Sequence, residues 1–230
     1  ADKENAPQLL RGTGEDKTHL CIVLTSDRGL CGGFNTNIIK KAKAYFKQIS
    51  SKGKNLKIIT VGSKGYDQLK RFYKHKIVEK ISFKDSKTIN YLDAEKVGQM
   101  IINKFEKKEF DVCVIFYNQF KNVITQIPQE QQIIPLKDSE EESSTEDNYE
   151  FEPDEDEILN NLLPKNISTQ IFKAMLENSA SEQGSRMSAM DNATRNAGDM
   201  VDKLTIEYNR SRQAAITKEL IEIISGAESL

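Results

Sequence analysis

The stretch SDRGLCGGF, Ser26–Phe34, lies between an apolar run and a helical pattern, the place where α/β proteins hold phosphates on a helix N-terminus. Its glycines stand at 29, 32 and 33. That spacing is neither GxGxxG nor a P-loop, and no acidic residue follows about twenty positions on to hold a ribose. A structural turn is the reading the residues favour, with a nucleotide-binding loop as the alternative. His19 and His75 have no Cys, Asp or Glu at metal-ligand spacing, so no metal is expected. Ser63 in VGSKG is not a nucleophile elbow, because GxSxG is absent. No Ser/His/Asp, Cys/His or paired-carboxylate arrangement has a chemical rationale. The expectation is a chain with no catalytic site and no cofactor.

Cys21, Cys31 and Cys113 show no CxxC spacing, and Cys21 and Cys113 sit inside apolar runs where a thiol acts as a small hydrophobe. An odd count argues against a disulfide framework and for a reducing compartment.

The elements that would position these residues alternate. His19–Thr25 predicts a buried strand and Asn35–Ser51 a helix with Ile38, Ile39, Ala42, Phe46 and Ile49 on one face. Leu56–Val61 is a second strand, Tyr66–Tyr73 a short helix with Leu69 and Phe72 expected in the core, and Ile77–Phe83 a third strand. Tyr91–Lys108 reads as a helix turning Val97, Ile101, Ile102 and Phe105 inward. Val112–Tyr117 is a fourth strand and Val123–Ile134 a fifth, antiparallel at an edge. The class is therefore α/β: a mostly parallel sheet of about five strands, covered on both faces.

From Asn166 to Gly226 there is no proline and there are only two interior glycines, Gly184 and Gly198. As one helix this would run about 60 residues, or roughly 90 Å. A seam repeats at alternating steps of four and three: Leu176, Ala180, Gln183, Met187, Met190, Thr194, Ala197, Val201, Leu204, Tyr208, Ser211, Ala215. That heptad pattern implies a left-handed coiled coil. No other segment is long enough to pair with it, so the partner helix belongs to another chain or to a missing N-terminus. Arg210, Arg212, Gln213, Thr217 and Lys218 precede Ile221, Ile223 and Ile224 at the helix end. They read as a tip seated in a partner, with arginines meeting carboxylates. The organisation expected is a linker over 1–18, an α/β domain over 19–136, an acidic segment and short helix over 137–163, and the long helix over 164–230.

Hydrophobic residues make up 37 % and charged residues 30 %, polar for a compact globule and suited to a chain with much partner-facing surface. The net charge is −2, but Asp138–Glu157 holds twelve acids and no base, leaving +10 on the rest (−2 minus −12). Tyr149 and Phe151 within that acidic stretch point to an interface, while the part before it reads equally as a solvated insert. Lysines crowd Lys40–Lys108, but without interleaved aromatics nucleic acid is not an expected partner. No apolar run approaches about 18 residues and no signal peptide is evident. A start at Ala1, with no Met and a polar, irregular stretch, is expected to lack the true N-terminus.

The stretch EQGSRMSAMDNATRNAGDMVDKLTIEYNRSRQAAITKELIEIISGAESL, Glu182–Leu230, closely resembles the C-terminal signature of F-type ATP synthase gamma subunits. SDRGLCGGFN matches a second motif of that family, in the right order and at the right distance. The resemblance covers essentially the whole chain.

It implies a Rossmann-like domain at the foot, against an epsilon subunit and a membrane c-ring, and a coiled coil of N- and C-terminal helices within a hexamer of alpha and beta subunits. Proton flow turns the ring and this shaft, and the shaft drives the beta subunits through different nucleotide affinities. By motif, Arg186, Arg212, Gln213 and Thr217 match family positions that meet the beta subunits. Ile221–Leu230, including Ile223 and Leu230, matches the tip held in the hexamer's apolar sleeve. Tyr149, Phe151 and Glu152 match the segment on the c-ring. The family's N-terminal helix is absent here, and so is the chloroplast-type cysteine-pair insertion, so redox control is not expected. The resemblance implies membrane contact only through the complex, on the cytoplasmic face of a bacterial plasma membrane, with the matrix side of the mitochondrial inner membrane as the alternative. A coiled-coil scaffold or a nucleotide-binding α/β module are the competing functions.

Overall fold

The computed structural model describes residues 7–84, 88–136 and 155–228. The strands are β1 (Thr18–Leu24), β2 (Asn55–Val61), β3 (Ile77–Ile81), β4 (Val112–Phe120) and β5 (Gln126–Ile134). They form one sheet in the order β3-β2-β1-β4-β5. The first four are parallel, and β5 runs antiparallel to β4. The helices are α1 (Gln8–Arg11), α2 (Phe34–Ser51), α3 (Ser63–Tyr73), α4 (Tyr91–Glu106) and α5 (Glu155–Glu228).

The central strands carry continuous apolar runs, Leu20–Leu24 in β1 and Val112–Tyr117 in β4, because both faces are covered. Along β1, Leu20, Ile22 and Leu24 point to a core shared with α4 and α5, through Val97, Ile101, Phe105, Ile167 and Ile171. Cys21 and Val23 point to the other core, with Ile38, Ala42 and Phe46 of α2 and Leu69 of α3. Each fully buried aliphatic or Phe side chain is worth about 1.5–3 kcal/mol, so these two layers carry the domain's stability. Phe46 packs edge-to-face on Tyr73 and Phe116, at centroid distances of 5.3 and 6.3 Å.

Three expectations are corrected. Phe72 is 69 % exposed, because α3 turns Leu69 inward and leaves Phe72 outside, with Lys43 and Arg71 against its ring. The fifth strand starts at Gln126 rather than Val123. Asn122 Oδ1 accepts hydrogen bonds from the backbone N–H groups of Ile124 and Thr125 and closes a turn that leaves Ile124 86 % exposed. The third strand ends at Ile81 rather than Phe83, whose N–H donates to Asp27 instead of a ladder.

Ahead of β1, Leu9 packs against the core, and the Thr13 hydroxyl donates to Asp111 at 2.7 Å. Helix α5 passes through Pro164 without a break. The chain divides into two compact units, Ala1–Met187 and Ser188–Leu230.

Candidate functional site: a self-satisfied loop and an uncovered helix face

The loop after β1 spends its polar groups on itself. Ser26 N–H donates to Asn35 Oδ1 at 2.9 Å, and Asn35 Nδ2 donates to Ser26 Oγ at 2.7 Å and Cys31 Sγ at 3.3 Å. Leu30 (φ 63°) and Gly32 (φ 54°) take the left-handed conformation that the turn into α2 requires. Asp27 accepts from Ser63 N–H and Ser63 Oγ, both at 2.8 Å, from Ser82 Oγ at 2.7 Å and from Phe83 N–H at 3.0 Å. Burial alone would raise its pKa, but together the bonds from Ser82, Ser63 and Phe83 hold it below the usual carboxylate range. A carboxylate therefore occupies the positive N-terminus of α3. This arrangement is a structural turn that ties β1, α3 and the segment after β3 together.

Asp27→Asn should cost about 1 kcal/mol at neutral pH, the low end for bonds to a charged acceptor because the group is half-exposed. Because the folded pKa is depressed, the stabilisation is complete above the unfolded carboxylate value and lost as pH falls through the folded one. Urea titrations should show a gap between the two proteins at pH 7 that narrows as the pH falls below the ordinary carboxylate range; a gap unchanged by pH would contradict the role.

The other candidates are structural. His19 Nε2 lies 2.6 Å from Asp16 and Nδ1 3.1 Å from the Tyr45 hydroxyl, and burial pushes its pKa down. Cys21, Cys31 and Cys113 are free and buried, and burial pushes the thiols of Cys21 and Cys113 up. Among the described residues no group of three His, Cys, Asp or Glu is placed to hold a metal. A crevice of about 780 Å³ lies beyond the ends of β1 and β2, lined by Thr25, Asp27, Arg28, Lys84, Glu182 and Arg186 among others. Arg186 is half-buried there and donates to Glu182 at 2.6 Å and Gln183 at 2.9 Å.

Helix α5 has two faces in the first unit. Ile167, Ile171, Ala174, Asn178 and Ser181 are buried on the sheet and α4 side. The seam residues Leu176, Ala180, Gln183 and Met187 are all exposed. A two-residue offset is about 200° around a helix, so the seam lies opposite the packed face. In the second unit the described seam residues Met190, Thr194, Ala197, Val201, Leu204, Tyr208, Ser211 and Ala215 are all exposed. So are Arg212, Gln213, Thr217 and Ile223, the last at 67 %. Leu230, Tyr149, Phe151 and Glu152 lie outside the described residues. A heptad seam that leaves Leu176, Met187, Met190, Val201, Leu204 and Tyr208 to water, with small and polar residues between them, marks an interaction face suited to close approach.

Two features escaped sequence reasoning. Asp27 gives no local signal of its bonds to residues 36 to 56 positions away. The buried pair Asn178 and Ser181 does leave one: polar residues that continue the Ile167, Ile171, Ala174 stripe.

None of the described helices is long and apolar enough to cross a membrane. The ATP synthase family model matches residues 1–230. The ATP synthase gamma chain of Pelagibacter ubique is 89 % identical over 231 residues, covering 100 % of this chain and 79 % of that protein. That of Paracoccus denitrificans is 54 % identical over 230 residues with the same coverage. A solved chain of the Euglena gracilis mitochondrial ATP synthase, in an OSCP/F1/c-ring assembly, superposes with a TM-score of 0.72 at 19 % identity, over 100 % of this chain and 76 % of that one. A chain of the Tetrahymena thermophila central stalk and c-ring gives 0.64 at 24 % identity, over 84 % of each. The solved structures share the fold; the sequence matches, running from end to end at these identities, show that the chain belongs to the ATP synthase gamma-chain family.

Proposed function

We propose that this chain is the central rotor shaft of a proton-translocating F-type ATP synthase, coupling c-ring rotation to conformational change in the catalytic beta subunits while performing no chemistry itself. Gamma chains are subunits of the ATP synthase complex, and that complex is membrane-associated. The observation that carries the reading is the uncovered heptad seam, opposite the packed face at Leu176–Met187 and exposed through Ala215. It is what a helix needs to pair with a second helix inside a larger assembly. The loop whose polar groups are already spent supports a non-catalytic role.

In this reading the second helix is the family's N-terminal one. The alpha and beta subunits surround the paired helices, and Arg212, Gln213 and Thr217 meet the beta subunits with Ile223 and Leu230 in the apolar sleeve. Arg186 joins them by exchanging its Glu182 partner for one on a beta subunit. The epsilon subunit and c-ring hold the foot, with Tyr149, Phe151 and Glu152 on the ring. Membrane contact comes only through the complex, on the cytoplasmic face of the bacterial plasma membrane.

Replacing Arg212 and Gln213 together with Ala should lower ATP synthesis at least about tenfold, the scale of one lost charge-assisted hydrogen bond. Thermal melting of the α/β unit should not change, since both side chains are exposed and remote in sequence from it. Full ATP synthesis by this variant, assembled in membrane vesicles, would remove these residues from torque transfer.

A further inference from the structure

Strand β4 overruns its neighbour. Its pairing with β1 ends at Phe116, opposite Val23, yet β4 continues to Phe120. Beyond that point Thr25 N–H turns to Val61 of β2 instead. On the β1 side the β4 backbone groups at Asn118 and Phe120 thus have no strand beside them, and those of buried Asn118 must find partners. Helix α5 supplies these. Asn118 N–H donates to Asn178 Oδ1 at 3.2 Å, Ser181 Oγ donates to the Asn118 carbonyl at 2.9 Å, and Phe120 N–H donates to Glu177 Oε2 at 2.7 Å. Asn118, Asn178 and Ser181 are 1 %, 6 % and 0 % exposed. On the other side of Asn118 stands Pro128, which has no N–H to offer.

Most of the other α5 packing in this unit is of another kind, although Gln131 Nε2 of β5 donates to Gln170 Oε1 at 2.8 Å. Ile167, Ile171, Ala174 and Met175 meet an apolar core, and such contact is non-directional. Buried Ser168 bonds back to the carbonyl of Pro164 in its own helix. Directional bonds from α5 to β4 are concentrated in one turn, Glu177–Ser181, and one turn on Ser185 Oγ donates to Gln126 of β5 at 2.8 Å. A rotation of 20° about the helix axis moves an atom at a radius of roughly 5 Å by about 2 Å. That breaks hydrogen bonds of this length, so these bonds add a directional restraint to the non-directional apolar contact.

We infer that Glu177, Asn178 and Ser181 are positioning residues that lock α5 against rotation and axial slip relative to the sheet, so that torque passes between the α/β domain and the shaft helix through the overhang of β4. This rests on the rotor reading above.

The test uses the complete complex in proteoliposomes, measuring ATP hydrolysis and ATP-driven proton pumping. Asn178→Leu with Ser181→Ala should leave hydrolysis within about twofold, and pumping per ATP should fall at least threefold. Asn178→Asp, which keeps the acceptor oxygen, should retain the ratio. Glu177→Ala removes only the outermost bond; if the double variant fails to assemble, Glu177→Ala must itself lower the ratio. A role confined to stability would reduce the amount of complex and leave pumping per ATP unchanged. An unchanged ratio, or an equal loss in Asn178→Asp, overturns the clamp. The Arg212 and Gln213 double-Ala variant is assayed alongside. If it alone lowers the ratio, the clamp fails and the rotor reading stands. If neither moves it, both fail.

Discussion

Gly62→Ala should lower the melting temperature of this chain by roughly 6–12 °C, the consequence of a loss of about 3 kcal/mol in a chain of this size. Gly62 has φ 101°, and a Cβ there would lie 2.3 Å from the Thr25 carbonyl oxygen and 2.6 Å from Thr25 Oγ1. Neither atom is free to move. The Thr25 hydroxyl donates to the carbonyls of Val61 and Gly62, at 3.1 and 3.2 Å, and accepts from Gly65 N–H at 2.9 Å. Thr25 N–H donates to Val61, and Gly62 N–H to Ile81. The ends of β1, β2 and β3 and the start of α3 therefore meet at this one residue. Gly53 separates the two contributions. Its φ is 71° but nothing lies within 4 Å of its added Cβ, so Gly53→Ala carries only the conformational cost, about 1 kcal/mol. If Gly62→Ala melted within about 2 °C of Gly53→Ala, the backbone crossing would not be as tight as described.

Val201→Asp together with Leu204→Asp should reduce assembled, ATP-synthesising complex by at least tenfold. Both positions are exposed on the second unit's seam and adjacent in its four–three spacing. Against a partner helix each would contribute about 1.5–3 kcal/mol of burial, and a carboxylate placed there adds an uncompensated charge. Two such losses exceed the 1.4 kcal/mol that makes a factor of ten. The α/β unit should melt normally, since neither residue belongs to its core. The control is Asp202 and Lys203, between the seam positions, replaced by Ala. Equal loss from the off-seam pair would mean that the stripe does not define the pairing face.

How far the residues alone led follows the range of the interactions. Strands buried on both faces are readable because continuous apolar runs are what two-sided covering demands, as in β1. Helix faces such as Ile38, Ile39, Ala42, Phe46 and Ile49 follow from periodicity, and all five are buried. Phe72 misled because hydrophobicity says nothing about which side of a short helix finds room. Val123 and Ile124 have strand propensity, but the Asn122 side chain closes a turn over them. The seam was legible because a heptad is local, and its exposure opposite the packed face required the fold. The Asp27 hub and the β4 overhang were not legible, because their partners are brought together only by the order of the strands.

The most direct measurement attaches a bead to the α/β unit and watches it while the surrounding hexamer is held on a surface. Cys21, Cys31 and Cys113 are buried, so a cysteine placed at exposed Lys74 would take the label in preference to them. On adding ATP the bead should turn in one direction, many revolutions without reversal. A complex that hydrolyses ATP at its full rate while the bead stays still would contradict the account of this chain as the rotor.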